Sequence, residues 1–103
     1  MPMNLAHLAI FHAVAQENSV SRGADRLMIS QPAVSKQLRT FERSLGAALF
    51  ERTPRGVRLT EAGELLNVYA RQIFAIEDSA LKSLAELKGL SRGRLDIGTS
   101  TTI

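Results

Sequence analysis

The sequence contains no cysteine, which excludes a disulfide framework, a cysteine-based zinc site and a catalytic thiol. Its two histidines, His7 and His12, do not share a helix face well at their spacing, so they do not indicate a metal pair. A Walker-type phosphate loop and a cluster of metal ligands are also missing from the sequence. We therefore predict no metal, no cofactor and no enzymatic activity.

Long apolar runs are absent as well, since none approaches the roughly 20 residues that are needed to span a bilayer. The start of the chain, from Met1 to Asn4, lacks the charged segment and the long apolar core of a signal peptide. These two absences predict a cytoplasmic protein with no membrane partner.

Charge is unevenly distributed along the 103 residues. Residues 1–60 hold eight lysines and arginines against four acidic residues, whereas the remainder holds five against six. The first part is thus +4 and the second −1, within a net charge of +3. A basic half next to a near-neutral half is typical of a polyanion-binding module joined to another element.

One stretch carries the signals of a helix from Gln31 to Leu45. Ser30 is a good N-cap, and Gly46 follows as a helix stop. One apolar stripe is predicted to face a core, and it consists of Val34, Leu38, Phe41 and Leu45. The opposite face carries Pro32, Lys36, Arg39 and Arg43, flanked by Ser35 and Thr40. Such a face suits the DNA major groove, although a solvated surface helix shows the same pattern.

Two shorter helices are predicted before it. Asn4 is expected to cap one from Leu5 to Ala15, and Ser21 to cap the next, which runs through Leu27. Their inward side chains are predicted to be Leu8, Phe11, Val14, Ala15, Ala24 and Leu27. A short helix that is followed, after a tight turn, by a polar-faced helix is the helix-turn-helix arrangement.

A small hairpin is predicted from the alternating segments 49–52 and 57–59, which a turn over residues 53–56 connects. Arg52, Arg55 and Arg58 are expected to cluster on or near its tip. Such a cluster suits a wing that contacts phosphates or a narrow minor groove. The alternative is an edge hairpin that uses charge to prevent self-pairing.

From Thr60 the pattern predicts one long helix, which Thr60 caps and Gly89 closes. Residues at heptad spacing trace an apolar seam, namely Leu66, Tyr69, Ile73, Ile76, Ala80, Ser83, Leu87 and Leu90. So small a domain cannot bury a seam of this length, so we expect the helix to pair with that of a second copy. Folding back onto its own domain is the alternative.

Three separated parts of the chain resemble the N-terminal region of a LysR-type transcriptional regulator. The first reads SRGADRL at 21–27 and the second ISQPAVSKQL at 29–38. The third begins with LG at 45–46 and continues through LFER at 49–52 to LTEAG at 59–63. The resemblance implies a mainly α fold: a winged helix-turn-helix of three helices and a two-stranded wing over 1–60, then a linker helix over 61–90. In the family this helix forms an antiparallel coiled-coil dimer. Residues 91–103 would be a hinge and the first strand of a truncated effector-binding domain.

The resemblance also implies roles for individual residues. Contacts to bases or phosphates in the groove are implied for Gln31, Pro32, Ser35 and Lys36, wing contacts for Arg52 and Arg55, and an approach to the backbone for Ser21 and Arg22. The helical wheel adds Arg39 and Arg43. Dimer contacts are predicted for Leu66, Tyr69, Ile73, Ile76, Ala80 and Leu87. Ser100 and Thr102 fall near effector-binding positions that only a full-length parent would use. Gly23 and Phe41 replace the alanine and leucine that are usual in the family.

Side-chain chemistry refines the base contacts. Gln31 is placed for a bidentate adenine contact, Pro32 and Ala33 for a thymine methyl, and Lys36 for guanine or phosphate. The prediction is a sequence-specific transcriptional regulator that binds double-stranded DNA as a homodimer at an inverted repeat, with a tetramer and a small-molecule effector only in a full-length parent. The rival hypothesis is a protein-interaction module built on the long helix, which leaves the wing arginines unexplained.

Overall fold

A computed structural model describes residues 3–93 of the chain. Its elements are α1 (Leu5–Glu17), α2 (Val20–Leu27), α3 (Gln31–Leu45), β1 (Phe50–Thr53), β2 (Gly56–Leu59) and α4 (Glu61–Gly93). The predicted mainly helical architecture, with a two-stranded antiparallel hairpin between the third and the fourth helix, is therefore confirmed. Residue contacts divide the chain into a compact unit that ends at Arg71 and a second unit that begins at Gln72.

Side chains cap the first three helices, although not always the predicted ones. Asn4 caps α1, because its Oδ1 accepts the N–H groups of Ala6 and His7 at 2.9 and 3.2 Å. The prediction that Ser21 caps α2 is wrong, since Ser19 Oγ accepts the N–H of Arg22 at 3.1 Å and Ser21 lies inside the helix. The reason lies at the end of α1, where the left-handed backbone of Asn18, with φ of 54°, leaves the next residue extended and free to cap.

The core of the first unit lies where α1, α2 and α3 meet. The predicted inward residues of α1 are buried, and so are Val34, Leu38 and Phe41 on α3. Leu45 does not belong to this stripe, because it is 36% exposed on the last turn before the left-handed Gly46. Leu27 is only half-buried. Side chains of α1 and α3 thus form most of this core.

Gly23 is explained by the close approach of α1 and α2. A Cβ at this position would lie 2.7 Å from Val14 Cγ2 and 3.0 Å from Val14 Cα. A glycine inside a helix costs about 1 kcal/mol relative to alanine, and here the tight helix packing offsets that cost.

The hairpin places its arginines on different sides. Antiparallel pairing sets Arg52 opposite Val57 and Arg58 opposite Glu51, so Arg52 and Arg58 point to opposite faces. Arg58 donates to Glu51 Oε1 at 3.0 Å. The prediction that three arginines cluster near the tip is therefore wrong for Arg58, whose cross-strand ion pair lies on the other face of the hairpin.

The start of α4 is tied to the hairpin. Thr60 Oγ1 accepts the N–H of Gly63 at 3.0 Å, which confirms Thr60 as the cap, and it donates to Ala48 O at 2.6 Å. The N–H of Thr60 also donates to Leu49 O at 3.0 Å. Gly63 is packed so closely on that same carbonyl that a Cβ would overlap it.

The prediction that Gly89 closes α4 is wrong, because the helix continues to Gly93. One glycine costs only about 1 kcal/mol, and the residues around Gly89 keep the helical hydrogen bonds. Within the first unit Ala70 is fully buried and Leu66 is half-buried, whereas Tyr69 is 55% exposed. In the second unit Ile76 and Leu87 are 69% and 44% exposed.

None of the helices within residues 3–93 is long and apolar enough to cross a membrane. The predicted effector-domain strand beyond Gly93, together with Ser100 and Thr102, lies outside the described residues.

Candidate nucleic-acid interface

The polar face of α3 is exposed as predicted. Ser30 Oγ accepts the N–H of Ala33 at 3.2 Å and fixes the first turn. The side of α3 that faces away from the core carries the exposed residues Gln31, Pro32, Lys36, Arg39, Thr40 and Arg43, together with the half-buried Ala33 and Ser35. The sequence thus presents a helix with short polar groups at its start and cations further along.

A cleft of about 330 Å³ separates α3 from the hairpin and brings predicted residues of both elements together. It is lined by Val20, Ser35, Leu38, Arg39, Glu42, Phe50, Arg52 and Val57. Arg39 of α3 and Arg52 of the hairpin therefore border one space. Arg55 is exposed in the turn, where its N–H donates to Thr53 Oγ1 at 3.3 Å. Ser21 and Arg22 are exposed and follow Val20, which lines this cleft.

In the described part of the chain, the cations of this surface have no carboxylate partners. Among residues 3–93 the ion pairs join Arg26 to Glu17, Arg58 to Glu51 and Lys82 to Asp78. None of these pairs involves the cations of α3 or of the hairpin tip, which are Lys36, Arg39, Arg43, Arg52 and Arg55. Unpaired, solvated cations on one surface are available to neutralise phosphates.

Two residues of α3 have roles that the sequence did not reveal. Gln37 points away from the polar face, because its Oε1 accepts a hydrogen bond from His7 Nε2 at 2.7 Å. Glu42 Oε2 accepts the N–H groups of Leu49 and Phe50 at 2.7 and 3.3 Å. No local sequence signal marks either bond, because both partners lie on other parts of the fold.

His12 lies outside this surface, half-buried on α1. Burial lowers its pKa below the ordinary 6.5, and the charges of Arg26 and Arg71 lower the pKa further. The imidazole is therefore neutral at neutral pH in the folded chain.

This lowered pKa makes stability depend on pH. In the unfolded chain His12 binds a proton near pH 6.5, whereas in the folded chain it does so only at lower pH. The free energy of unfolding therefore has its full value above pH 6.5 and declines as the pH falls towards the pKa of His12 in the folded chain. We expect urea titrations, followed by circular dichroism on both sides of pH 6.5, to show this decline. In a His12→Gln variant the decline should be smaller, and an equal decline would assign it to other groups.

Catalytic or metal chemistry finds little support on the described part of the chain. Residues 89–93 read GLSRG, which corrects the expectation that no Gly-x-Ser-x-Gly pattern occurs in the sequence. The pattern lies inside α4, whereas a nucleophile elbow requires a sharp turn between a strand and a helix. Among residues 3–93 no three His, Asp or Glu side chains are grouped as metal ligands.

Comparison with known proteins gives consistent matches. The family model for "Bacterial regulatory helix-turn-helix protein, lysR family" matches residues 5–64. The RuBisCO operon transcriptional regulator of Allochromatium vinosum is 44% identical over 103 residues, which are 100% of this chain and 34% of that protein. A probable RuBisCO transcriptional regulator of Thalassiosira pseudonana is 41% identical with the same coverage. The chain thus spans about a third of the length of these curated relatives.

Solved structures match in fold as well. The BenM_DBD/catB site 1 DNA complex matches with a TM-score of 0.77 and 35% identity, over 84% of this chain and 96% of that one. The CbnR_DBD–DNA complex matches with a TM-score of 0.70 and 36% identity, over 82% and 98%. Both the helical order and the hairpin are shared with DNA-binding domains. The chain therefore belongs to the LysR family of bacterial regulatory helix-turn-helix proteins, and residues 5–64 form the DNA-binding domain of that family.

Proposed function

We propose that this chain binds an inverted-repeat promoter site on double-stranded DNA as a homodimer, with α3 in the major groove and the hairpin on the backbone or in the minor groove. The observation that carries the proposal is the common surface of α3 and the hairpin, where Lys36, Arg39, Arg43, Arg52 and Arg55 have no carboxylate partner among residues 3–93. Cations clustered on one surface form the electrostatic footprint that is typical of a nucleic-acid-binding domain.

Specificity is assigned to the first turns of α3. Gln31 and Pro32 are exposed beside the capped N-terminus, where a recognition helix meets base edges. Gln31 reads adenine with its amide, Pro32 and Ala33 contact a thymine methyl, and Lys36 contacts guanine or a phosphate. The remaining contacts, from Ser35, the arginines, Ser21 and Arg22, neutralise or hydrogen-bond the backbone and fix the orientation of the domain.

Dimerisation is assigned to α4. Its seam exposes Tyr69, Ile76 and Leu87 at 55%, 69% and 44% in the single chain, and such apolar exposure on one long helix marks an interaction site. Pairing with the same helix of a second copy, in antiparallel orientation, covers the seam and fixes the separation of two α3 helices. The proposal includes a cytoplasmic location, and it expects a tetramer and a small-molecule effector only for a longer parent protein.

The test is fluorescence anisotropy of the chain on an A/T-rich duplex with a T-to-A inverted repeat, compared with a scrambled duplex across a salt series. We expect tighter binding to the repeat and a steep loss of both affinities with salt, because phosphate neutralisation releases counterions. Absence of binding to both duplexes at low salt would refute DNA binding. The exposed seam of α4 would then indicate the protein-interaction module.

The base-reading role of Gln31 has its own test. Replacing Gln31 with alanine should reduce the preference for adenine at one half-site position by about 1–3 kcal/mol, because a bidentate contact is lost. The matched control is Arg55→Ala, which should weaken binding to all sequences alike. Anisotropy on duplexes that differ at single positions measures both effects, and base-selective loss in the Arg55 variant would contradict its assignment to the backbone.

A further inference from the structure

Glu42 is an acidic residue on the surface where DNA is proposed to bind. It is half-buried and lines the cleft between α3 and the hairpin together with Arg39 and Arg52. A carboxylate at this place repels phosphates and lowers the positive potential of its neighbours. Its charge is therefore unfavourable for direct contact with DNA, and its hydrogen bonds indicate a different role.

Those bonds hold the first residues of the wing. Glu42 Oε2 accepts the N–H of Leu49 at 2.7 Å and that of Phe50 at 3.3 Å, and β1 begins at Phe50. Arg52 follows two residues later on the same strand, and Arg55 lies in the turn that ends it. Charge-assisted bonds to two successive backbone amides fix both the position and the direction of a strand.

Within residues 3–93 the wing is also tied to the start of α4 through Thr60 and Gly63, and further contacts reach α1 and its C-cap. The hairpin is a sheet of only two strands, which hydrogen-bond to each other. The rings of Phe11 and Phe50 lie 5.3 Å apart, and the N–H of Val57 donates to Asn18 O at a long 3.4 Å. A two-stranded hairpin is marginal by itself, so its orientation depends on such anchors.

We propose that Glu42 is a positioning residue for DNA binding, whose carboxylate holds the wing at the distance from α3 at which Arg52 and Arg55 reach the phosphates. The inference rests on the proposed function and adds a residue that touches no DNA. It also explains why an acidic residue lies among the cations of this surface, because the hydrogen bonds of Glu42 determine the positions of Arg52 and Arg55.

Two variants separate the reach of Glu42 from its charge. Glu42→Asp keeps the charge but withdraws the carboxylate by about 1.5 Å, one carbon–carbon bond, which takes it beyond hydrogen-bonding distance of the Leu49 amide. Glu42→Gln keeps the reach and an accepting oxygen but removes the charge. Arg55→Ala serves as the reference for the loss of one wing contact. Far-UV circular dichroism establishes the temperature range in which all variants are folded.

The measured quantities are the affinity for the inverted-repeat duplex and the slope of log K against log salt. Arg55→Ala is expected to lower the slope by about 1, and Glu42→Asp to lower it by at least as much, with about a tenfold loss of affinity. Adding Arg55→Ala to Glu42→Asp should reduce the affinity less than Arg55→Ala does in the original chain, because the aspartate variant has already displaced the arginine. A structural defect without effect on the wing would change stability but leave the slope intact.

Glu42→Gln supplies a test that does not depend on the aspartate variant. We expect it to bind at least as tightly as the original chain with an unchanged slope. Adding Arg55→Ala to it should reduce the affinity as much as Arg55→Ala does in the original chain. A reduced slope in Glu42→Gln, an unchanged slope in Glu42→Asp, or strict additivity with Arg55→Ala would each overturn the role of Glu42 while DNA binding stands. Failure of the original chain to bind DNA would instead overturn the proposed function itself.

Discussion

Replacing both Ile73 and Ile76 with aspartate is expected to make the chain monomeric and to weaken binding to the inverted repeat sharply. Both residues belong to the seam of α4, and Ile76 is 69% exposed in the single chain. A carboxylate that is buried in an apolar helix pair without a partner costs several kcal/mol, so we expect the dimer dissociation constant to rise at least about a hundredfold. Light scattering measures the mass, and anisotropy on the repeat measures the loss of two-site binding.

The matched control is the pair Ala75→Asp and Ala85→Asp. It adds the same charge to the same helix, at exposed positions away from the seam. This variant should keep the mass of a dimer and most of its affinity. A dimer in the Ile73 and Ile76 variant would exclude the seam as the interface, and monomers in both variants would point to net charge rather than to the seam.

The largest effect on stability is expected for Gly63→Ala. A Cβ at residue 63 would overlap the carbonyl oxygen of Leu49 and lie 2.9 Å from Leu59 Cδ2. That oxygen accepts the N–H of Thr60 at 3.0 Å, so it cannot move without breaking the start of α4. We expect the free energy of unfolding to fall by at least about 2 kcal/mol, as for overpacking against backbone. Urea titration followed by circular dichroism measures the change.

Gly89→Ala is the matched control on the same helix. Nothing lies within 4 Å of a Cβ at residue 89, so alanine meets no obstacle there. Its better helix propensity should leave stability unchanged or raise it by up to about 1 kcal/mol. Equal destabilisation by both substitutions would show that the contact with Leu49 is not the cause.

Sequence reasoning succeeded where local signals are sufficient. The bounds of α3 follow from Ser30, which caps it, and from Gly46, whose φ of 71° favours glycine. The apolar periodicity identified Val34, Leu38 and Phe41 as buried. The hairpin followed from alternation on either side of Pro54 and Gly56. In each case the deciding residues lie within a few positions of the feature that they determine.

The errors arose where backbone conformation or pairing in the folded chain decides, which a local sequence pattern does not show. Ser19 and Ser21 have similar capping propensity, and only the left-handed Asn18 selects Ser19. A glycine such as Gly89 stops a helix only if the chain turns there, and at this position it does not turn. Arg58 was grouped with the tip because its pairing with Glu51 across the hairpin depends on the register of the strands.

The roles of Gln37 and Glu42 could not be predicted for the same reason. Gln37 lies in a motif that resembles a DNA-reading segment, yet its amide is bonded to His7, 30 positions earlier. Glu42 was counted only as a negative charge, although its partners are backbone amides seven and eight residues later. Backbone donors leave no mark in a sequence, so such bonds become visible only in the folded chain.

The first turns of α4 belong to the same compact unit as the helix-turn-helix, since that unit extends to Arg71 and Ala70 is fully buried in it. A recombinant fragment cut at residue 60 would lose the buried Ala70 and also Gly63, which packs against Leu49 and Leu59. A fragment cut after Arg71 would keep this packing and lack most of the seam. The fragment cut after Arg71 is therefore suited to binding a single half-site as a monomer. With it, base recognition can be measured without the free energy of dimer assembly.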